Sequence, residues 1–268
     1  MRVVVKIGGS LMKDGIPEAL INDVVSLSPT HQLVLVHGGG DVVTEMATRL
    51  GKEQRFVVSP DGIRSRYTDK ETAEIYQMVM SGLLAKRLVL ALGNAGARSI
   101  SLSGADGRLM QAKRKKKLVI VDERGRKVAI DGGYTGRIHG VNSSLIDLLL
   151  SQGYLPVVSP VATGEAGEPL NVDGDRAASS LAVGSKAHAV VFATNVEGLK
   201  LDGGLVTHLT PEEMKSRLNE VGFGMQKKVM AAVEAVQGGV KEAIICSGTR
   251  STPLTRALAH DKCTVIAD

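Results

Sequence analysis

The opening MRVVVKIGGS (residues 1–10) is apolar at Val3, Val4, Val5 and Ile7 and then turns at once into Gly8 and Gly9. A strand apolar on neighbouring rather than alternate positions is covered on both faces, which is the condition of a parallel sheet with helices on either side. Lys6 interrupts the run, and a lysine inside such a strand is hard to place on a surface. Similar short runs recur as LVLV (33–36), SISL (99–102), LPVV (155–158), AVVFA (189–193), EAIIC (242–246) and CTVIA (263–267). Aliphatic residues at spacings of three and four separate most of them, over 17–27, 42–50, 70–92, 142–150, 175–183 and 225–236. The alternation predicts an α/β fold, a three-layer αβα sandwich whose central sheet is mainly parallel and contains all seven runs.

Two stretches depart from the rhythm. LVIVDERGRKVAI (118–130) reads as two strands joined around Arg124 and Gly125, a hairpin rather than a crossover. PVATGEAGE (160–168) is rich in small and turn-forming residues and marks a lobe boundary, although one continuous sheet can pass beneath it.

Composition bounds the class. The 268 residues are 43% hydrophobic but only 3% aromatic, with no Trp and 31 Gly, so the interior is aliphatic and turns are numerous. Cys246 and Cys263 form no C-x-x-C pair and have no His at metal-ligand spacing, so no metal site is expected and both read as small buried hydrophobes in a reducing compartment. The first apolar run is too short for a signal sequence, and no window approaches the ~20 apolar residues of a membrane span. A soluble cytoplasmic protein is the expectation.

The formal charge is +5, and it is unevenly placed. Between Arg108 and Lys127 nine basic residues face two acidic ones, a local +7 that leaves −2 for the remainder. Its centre is KRKKK: Lys113, Arg114, Lys115, Lys116 and Lys117. These charges are either a solvated flank of the hairpin or a docking surface for an acidic partner. The absence of interleaved aromatics and of any helix-turn-helix or RNA-binding signature argues against a nucleic-acid module.

KIGGS (6–10) and HGGG (37–40) each follow a strand and precede a helix. Backbone N–H groups at such a place hold phosphate or carboxylate oxygens, while a tight turn alone also favours Gly. Neither is a Walker loop or a full dinucleotide fingerprint. Later pieces join them: GIRSRYTD (62–69), LNVDGDRAASSLA (170–182), TNVEGL (194–199) and GFGMQKKVMAA (222–232).

In this order the pieces resemble the amino-acid kinase family over nearly the whole chain, and its N-acetylglutamate kinase branch in particular. The resemblance implies an acceptor lobe over 1–165 and a nucleotide lobe over 166–268, with transfer of the γ-phosphoryl of ATP, with Mg2+, to a side-chain carboxylate. It implies Lys6 and Lys228 as the catalytic cations and Asp175 as the acid that orients both. By the same resemblance Gly8, Gly9, Gly39 and Gly40 supply backbone donors. Arg64 and Asn171 recognise the acceptor, and Ser10, Thr194, Asn195, Gly198, Gly224 and Met225 lie on the nucleotide side. Lys228 beside Lys227 also suits a solvated helix, and TNVEGL an ordinary strand exit. His37 is read as structural, because a carboxylate is already ionised at neutral pH and offers no proton to remove.

Three departures place the chain within the family. Where N-acetylglutamate kinases typically continue R-V-T, this chain runs Arg64, Ser65, Arg66, Tyr67, Thr68. Asn195 stands in place of an acid after Thr194, and the acceptor motif is Asn171-Val172-Asp173-Gly174-Asp175. The third is the basic run. All three resemble the branch whose acceptor, aminoadipate or glutamate, is attached through its amino group to a small acidic carrier protein, in lysine and in some cases arginine biosynthesis. KRKKK would then steer that carrier, whereas free N-acetylglutamate gives it nothing to meet. Members with arginine feedback carry an additional N-terminal helix, so the resemblance implies a homodimer without it, paired through the helix at 70–92. Aminoadipate and glutamate differ by one methylene, and the sequence does not choose between them.

Overall fold

Arg2–Ile7 form β1, which lies inside an eleven-stranded sheet because both its faces are apolar. The computed structural model describes residues 1–13 and 15–268, with Phe223 described by its backbone alone. After β1 come α1 (Glu18–Leu27), β2 (Gln32–His37), α2 (Gly40–Arg49), the hairpin β3 (Phe56–Val58) and β4 (Arg64–Arg66), and α3 (Lys70–Gln77). A π-helical stretch, Met78–Leu84, carries α3 into α4 (Ala85–Asn94). Then follow β5 (Ser99–Gly104), β6 (Met110–Arg114), the ribbon β7 (Lys117–Val121) and β8 (Lys127–Asp131), β9 (Gly136–Val141), α5 (Ser144–Ser151), β10 (Leu155–Thr163) and β11 (Pro169–Asn171). The remainder comprises α6 (Gly174–Gly184), β12 (Ala189–Thr194), the short pair β13 (Lys200–Leu201) and β14 (Gly204–Leu205), and β15 (His208–Leu209). It ends with α7 (Pro211–Ser216), α8 (Phe223–Gln237), β16 (Glu242–Ser247), α9 (Pro253–Leu258) and β17 (Thr264–Ala267).

The strand order is β15-β17-β16-β12-β1-β2-β10-β6-β9, with β5 and β11 also paired to β10. The sheet therefore runs unbroken beneath residues 160–168. β1 pairs in parallel with β2 on one side and β12 on the other, so the chain first builds away from β1 in one direction and later in the other. Such a reversal leaves a crevice outside the carboxyl ends of the strands. Period-two alternation divides the core. Val4, Val34, Val190 and Phe192 face α5, α6 and α8, whereas Val3, Val5, Leu35 and Val191 face α1, α2, α9 and the long helix.

Two expectations are corrected here. The seventh run, β17, is antiparallel to β16 (Ile245 opposite Thr264), although parallel to β15. An apolar run has no direction of its own; the short connection through α9 sets it. Lys70–Asn94 is one helix of 25 residues, by length and hydropathy sufficient to cross a membrane, contrary to the expectation of no such segment. Gln77, Ser81, Lys86 and Arg87 interrupt the apolar run in sequence, while Ile75, Tyr76, Val79, Met80, Leu84, Leu88 and Leu92 form its buried face against the sheet. The 118–130 hairpin is present, its turn closed by Gly125 N–H to Asp122 O at 2.9 Å.

A buried carboxylate joins the start of the chain to its end. Asp23 on α1 accepts from Leu254 N–H (2.6 Å), Thr255 N–H (3.0 Å) and the Thr255 hydroxyl (2.6 Å), which caps α9 from outside. Asp23→Ala strands those donors and is expected to cost about 2 kcal/mol in urea unfolding. A loss below about 0.5 kcal/mol would show that water replaces the cap.

Candidate active site

Lys6 lies two residues beyond Val4 and therefore points to the same side of the sheet, toward α6 and α8. Its ammonium donates to Asp175 Oδ1 at 2.8 Å. Lys228, on α8, donates to the same carboxylate, at 3.1 Å to Oδ1 and 3.2 Å to Oδ2. Both lysines are nearly enclosed, with relative exposures of 8% and 7%. Three residues separated by up to 222 positions thus meet in one cluster, because β1, α6 and α8 pack on one another.

Asp175 is held at the first turn of α6, where Asp173 accepts from the N–H groups of Asp175 and Arg176, both at 3.1 Å. α6 and α8 are tied by Ser179 Oγ donating to Ala231 O at 2.7 Å and by the Arg176–Glu234 ion pair at 2.8 Å. Burial by itself would raise the Asp175 pKa, but the Lys6 and Lys228 ammonium groups hold it down at about 2. Burial and the positive charge of Lys6 push Lys228 down from its ordinary value, against the pull of Asp175. One carboxylate fully compensates one of two ammonium groups. The cluster retains a positive charge that an incoming anion would neutralise.

The glycine loops stand at the mouth of this cluster and press on each other. A Cβ on Gly9 would lie 2.8 Å from Gly39 N, and one on Gly38 would lie 2.7 Å from Gly9 N. Close backbone approach is thus one reason for these glycines, alongside any anion. Among the described residues, the N–H groups of Gly9, Ser10, Gly39 and Gly40 donate to no protein acceptor. Gly8 is a correction: its N–H donates to Ala193 O at 2.8 Å, closing β1 on β12, and is not free for a ligand. His37 faces away from Lys6, toward Ser159 Oγ (2.9 Å) and Gly38 O (3.0 Å). Burial, with a smaller contribution from Lys6, lowers its pKa to about 4, so it is neutral at neutral pH.

Arg64 is exposed on β4, with its guanidinium over the Phe56 ring at 3.9 Å and no side-chain acceptor among the described residues. Arg66 is instead engaged, bonding Gly40 O (2.7 Å), Thr44 Oγ1 (2.9 Å) and Gln54, so it fastens the β3–β4 hairpin to α2. Asn171 donates to Thr68 Oγ1 at 2.9 Å. Thr194 ends β12 beside Asn195, and its carbonyl accepts from Gly248 N–H at 2.7 Å. That contact brings in the Ser247–Thr249 turn after β16, a strand exit with small residues like the other three, which the sequence reading passed over. Gly198 is buried where a Cβ would lie 2.6 Å from Thr264 Oγ1, so packing requires it. Gly224 is exposed in the first turn of α8, and Met225 packs against the core beside it.

The basic run is not uniformly exposed. Arg114 is held locally, with its Nε to Gly133 O at 2.5 Å and its guanidinium over Tyr134 at 4.3 Å, while its side chain stays exposed. Lys115 is half-buried, and burial together with the positive charges of Arg176, Arg137 and Lys227 lowers its pKa. Lys113, Lys116 and Lys117 are exposed at the root of the β7–β8 ribbon. Two open depressions mark the surface. One of about 310 Å³ lies between Lys115, Lys116 and Glu168. Another, of about 380 Å³, is lined by Arg2, Lys186, His188 and Lys241 at the opposite ends of the strands, where basic side chains meet helix C-termini.

Two lysines on one aspartate beside glycine-lined strand exits can stabilise charge on a transferring anionic group, and the chain belongs to the amino acid kinase family, whose model matches residues 1–247. A Cenarchaeum symbiosum (strain A) protein provisionally named LysW-aminoadipate/LysW-glutamate kinase is 51% identical over 99% of both chains. The LysW-aminoadipate/LysW-glutamate kinase of Saccharolobus islandicus (strain Y.N.15.51) is 43% identical over 96% of both. N-acetylglutamate synthase from Neisseria gonorrhoeae, solved with coenzyme A and N-acetyl-glutamate, has a TM-score of 0.81 at 25% identity, covering 100% of this chain and 59% of that one. This chain spans under two thirds of that synthase.

Proposed function

We propose that this protein transfers the γ-phosphoryl of ATP to the side-chain carboxylate of aminoadipate or glutamate linked through its amino group to a carrier protein, within lysine biosynthesis. The surplus positive charge of Lys6 and Lys228 around Asp175 carries this conclusion. The acceptor carboxylate, with an ordinary pKa of ~4.3, is ionised without a base. The barrier is instead the approach of two anions and the charge that spreads over the transferring group, which fixed cations stabilise. Lys6 and Lys228 supply that stabilisation from two elements, and Asp175 keeps their ammonium groups aimed. The free N–H groups of Gly9, Ser10, Gly39 and Gly40 suit phosphate and carboxylate oxygens. Arg64, exposed at the hairpin and without a side-chain acceptor among the described residues, suits bidentate recognition of a second acceptor carboxylate, with Asn171 for an amide end.

The acceptor is assigned to residues 1–165 and the nucleotide to 166–268, where Thr194, Asn195, Gly224 and Met225 border the crevice. Among the described residues no three His, Cys, Asp or Glu side chains converge on a metal-sized site, so Mg2+ would be held chiefly by nucleotide phosphates and supply charge neutralisation there. A cytoplasmic homodimer completes the proposal; the exposed side of Lys70–Asn94 carries Met78 (57%) and Leu90 (65%), which suit a second copy.

A hydroxamate assay with free N-acetylglutamate and with carrier-linked glutamate and aminoadipate tests the acceptor. Turnover restricted to the carrier-linked acceptors is expected; efficient turnover of N-acetylglutamate would overturn the proposal. With the carrier-linked acceptor, replacing Lys113, Lys116 and Lys117 together by Gln should raise the acceptor KM about tenfold at low salt and leave the ATP KM unchanged. The difference should shrink as the Debye length falls to ~8 Å. Equal acceptor KM at low salt would remove these lysines from docking.

A further inference from the structure

Lys227 has no role in the cluster its neighbour completes. On a helix, successive residues point about 100° apart, so while Lys228 turns inward to Asp175, Lys227 reaches sideways to the β3–β4 hairpin. Its ammonium donates to Arg64 O at 2.8 Å and to Ser65 Oγ at 3.2 Å. Among the described residues these are the hairpin's only hydrogen bonds to the second part of the chain.

The hairpin needs such a tie. It is a separate two-stranded sheet of three residues per strand, outside the main sheet, and a lone pair of strands has little stability of its own. Arg66 fastens it on one side, to α2. Lys227 fastens the backbone of Arg64, the residue whose free guanidinium stands over Phe56. A single turn of α8 therefore holds both the carboxylate cluster and the strand that presents Arg64.

We propose that Lys227 is a positioning residue, coupling the acceptor-recognition hairpin on β4 to the phosphoryl-transfer helix α8 through the Arg64 carbonyl. This rests on the acceptor role proposed above for Arg64. The tie is a hydrogen bond from a charged donor to a main-chain oxygen, so it fixes the strand without depending on the side chain at position 64. When it is broken the hairpin samples positions from which Arg64 misses the acceptor, while the nucleotide side and the Lys6–Asp175–Lys228 cluster keep their packing.

The test is hydrogen exchange and steady-state kinetics on the full chain, as wild type, Lys227→Met and Lys227→Arg. In Lys227→Met the amides of β3 and β4 are expected to exchange about tenfold faster, those of α6 and α8 to stay unchanged, and the acceptor KM to rise about tenfold with the ATP KM within twofold. Lys227→Arg keeps a donor of sufficient reach and should recover most of both effects. Unchanged exchange in the hairpin overturns the coupling whatever the substrate proves to be, because that readout needs none. A raised ATP KM with unchanged acceptor KM also overturns it, and would make Lys227 a phosphate contact. Failure of the wild type to turn over any carrier-linked acceptor would instead count against the proposed function, and faster hairpin exchange in Lys227→Met would then still support the tie.

Discussion

Asp175→Asn is expected to lower kcat about a hundred- to a thousandfold and to leave a residual rate that rises as pH falls. The amide keeps the shape and removes the charge, so the Lys6 and Lys228 ammonium groups, 2.8 Å and 3.1 Å from the same oxygen, lose their counter-ion in a nearly closed site. Loss of one preorganised charge-stabilising element costs on this order. At least one ammonium then sheds its proton more readily, and acid restores it, which sets the direction of the pH dependence. Stability changes with the opposite slope in the wild type. The Asp175 carboxyl has a folded pKa of about 2 against an ordinary 3.8. Its contribution, about 2 kcal/mol, is present above pH ~4 and is lost as pH falls toward 2. Lys228, lowered by burial, acts in its own range: its burial penalty lifts as pH rises from its folded pKa toward its ordinary value. Profiles of kcat against pH and urea unfolding at pH 3 and pH 7 measure both. An unchanged kcat, or an acid limb identical in wild type and Asp175→Asn, would remove Asp175 from the role given to it.

Gly39→Ala is expected to cost about 2–5 kcal/mol, a large part of the ~5–15 kcal/mol that stabilises an ordinary domain. Two separate causes act at that position. The backbone has φ +148°, which a side chain disfavours, and an added Cβ would stand 2.1 Å from Leu84 Cδ1 in the π-helical stretch. Strain and crowding each contribute about 1–3 kcal/mol. Leu84→Ala alone should cost about 2–5 kcal/mol through the cavity it leaves. The double variant Gly39→Ala/Leu84→Ala should lose about 1–3 kcal/mol less than the sum of its parts, because the crowding is relieved while the strain remains. Strict additivity in denaturant unfolding would show that Leu84 is not what makes glycine necessary. The π-helical register itself places Leu84 and Met80 over Gly39, and it carries the Met80 carbonyl that accepts from Ser159 Oγ at 3.2 Å beside His37.

What the sequence by itself determined is what neighbouring residues encode. Consecutive apolar residues in β1, β2, β12 and β16 imply strands covered twice, and spacings of three and four imply the helices between them, because both signals are complete within one element. Lys6 stood out for the same reason, being one charge inside such a run. The glycines after β1 and β2 marked the strand exits where the crevice opens. The six-residue α7 and α9 span under two turns each and left no period to read. Direction, pairing and partner choice were decided only in three dimensions. β17 runs antiparallel to β16 because of how α9 returns the chain, not because of its own residues. KRKKK looked like five equivalent charges, but Tyr134 and the Gly133 carbonyl hold Arg114 in place at the surface and Lys115 is half-buried, leaving Lys113, Lys116 and Lys117 as the exposed lysines. Lys227 and Lys228 are adjacent and chemically alike, yet one meets Asp175 and the other meets Arg64, 163 residues away. A charge in a sequence announces that it needs a counterpart; only the packing of β1, α6 and α8 against one another determines which group is close enough to be it.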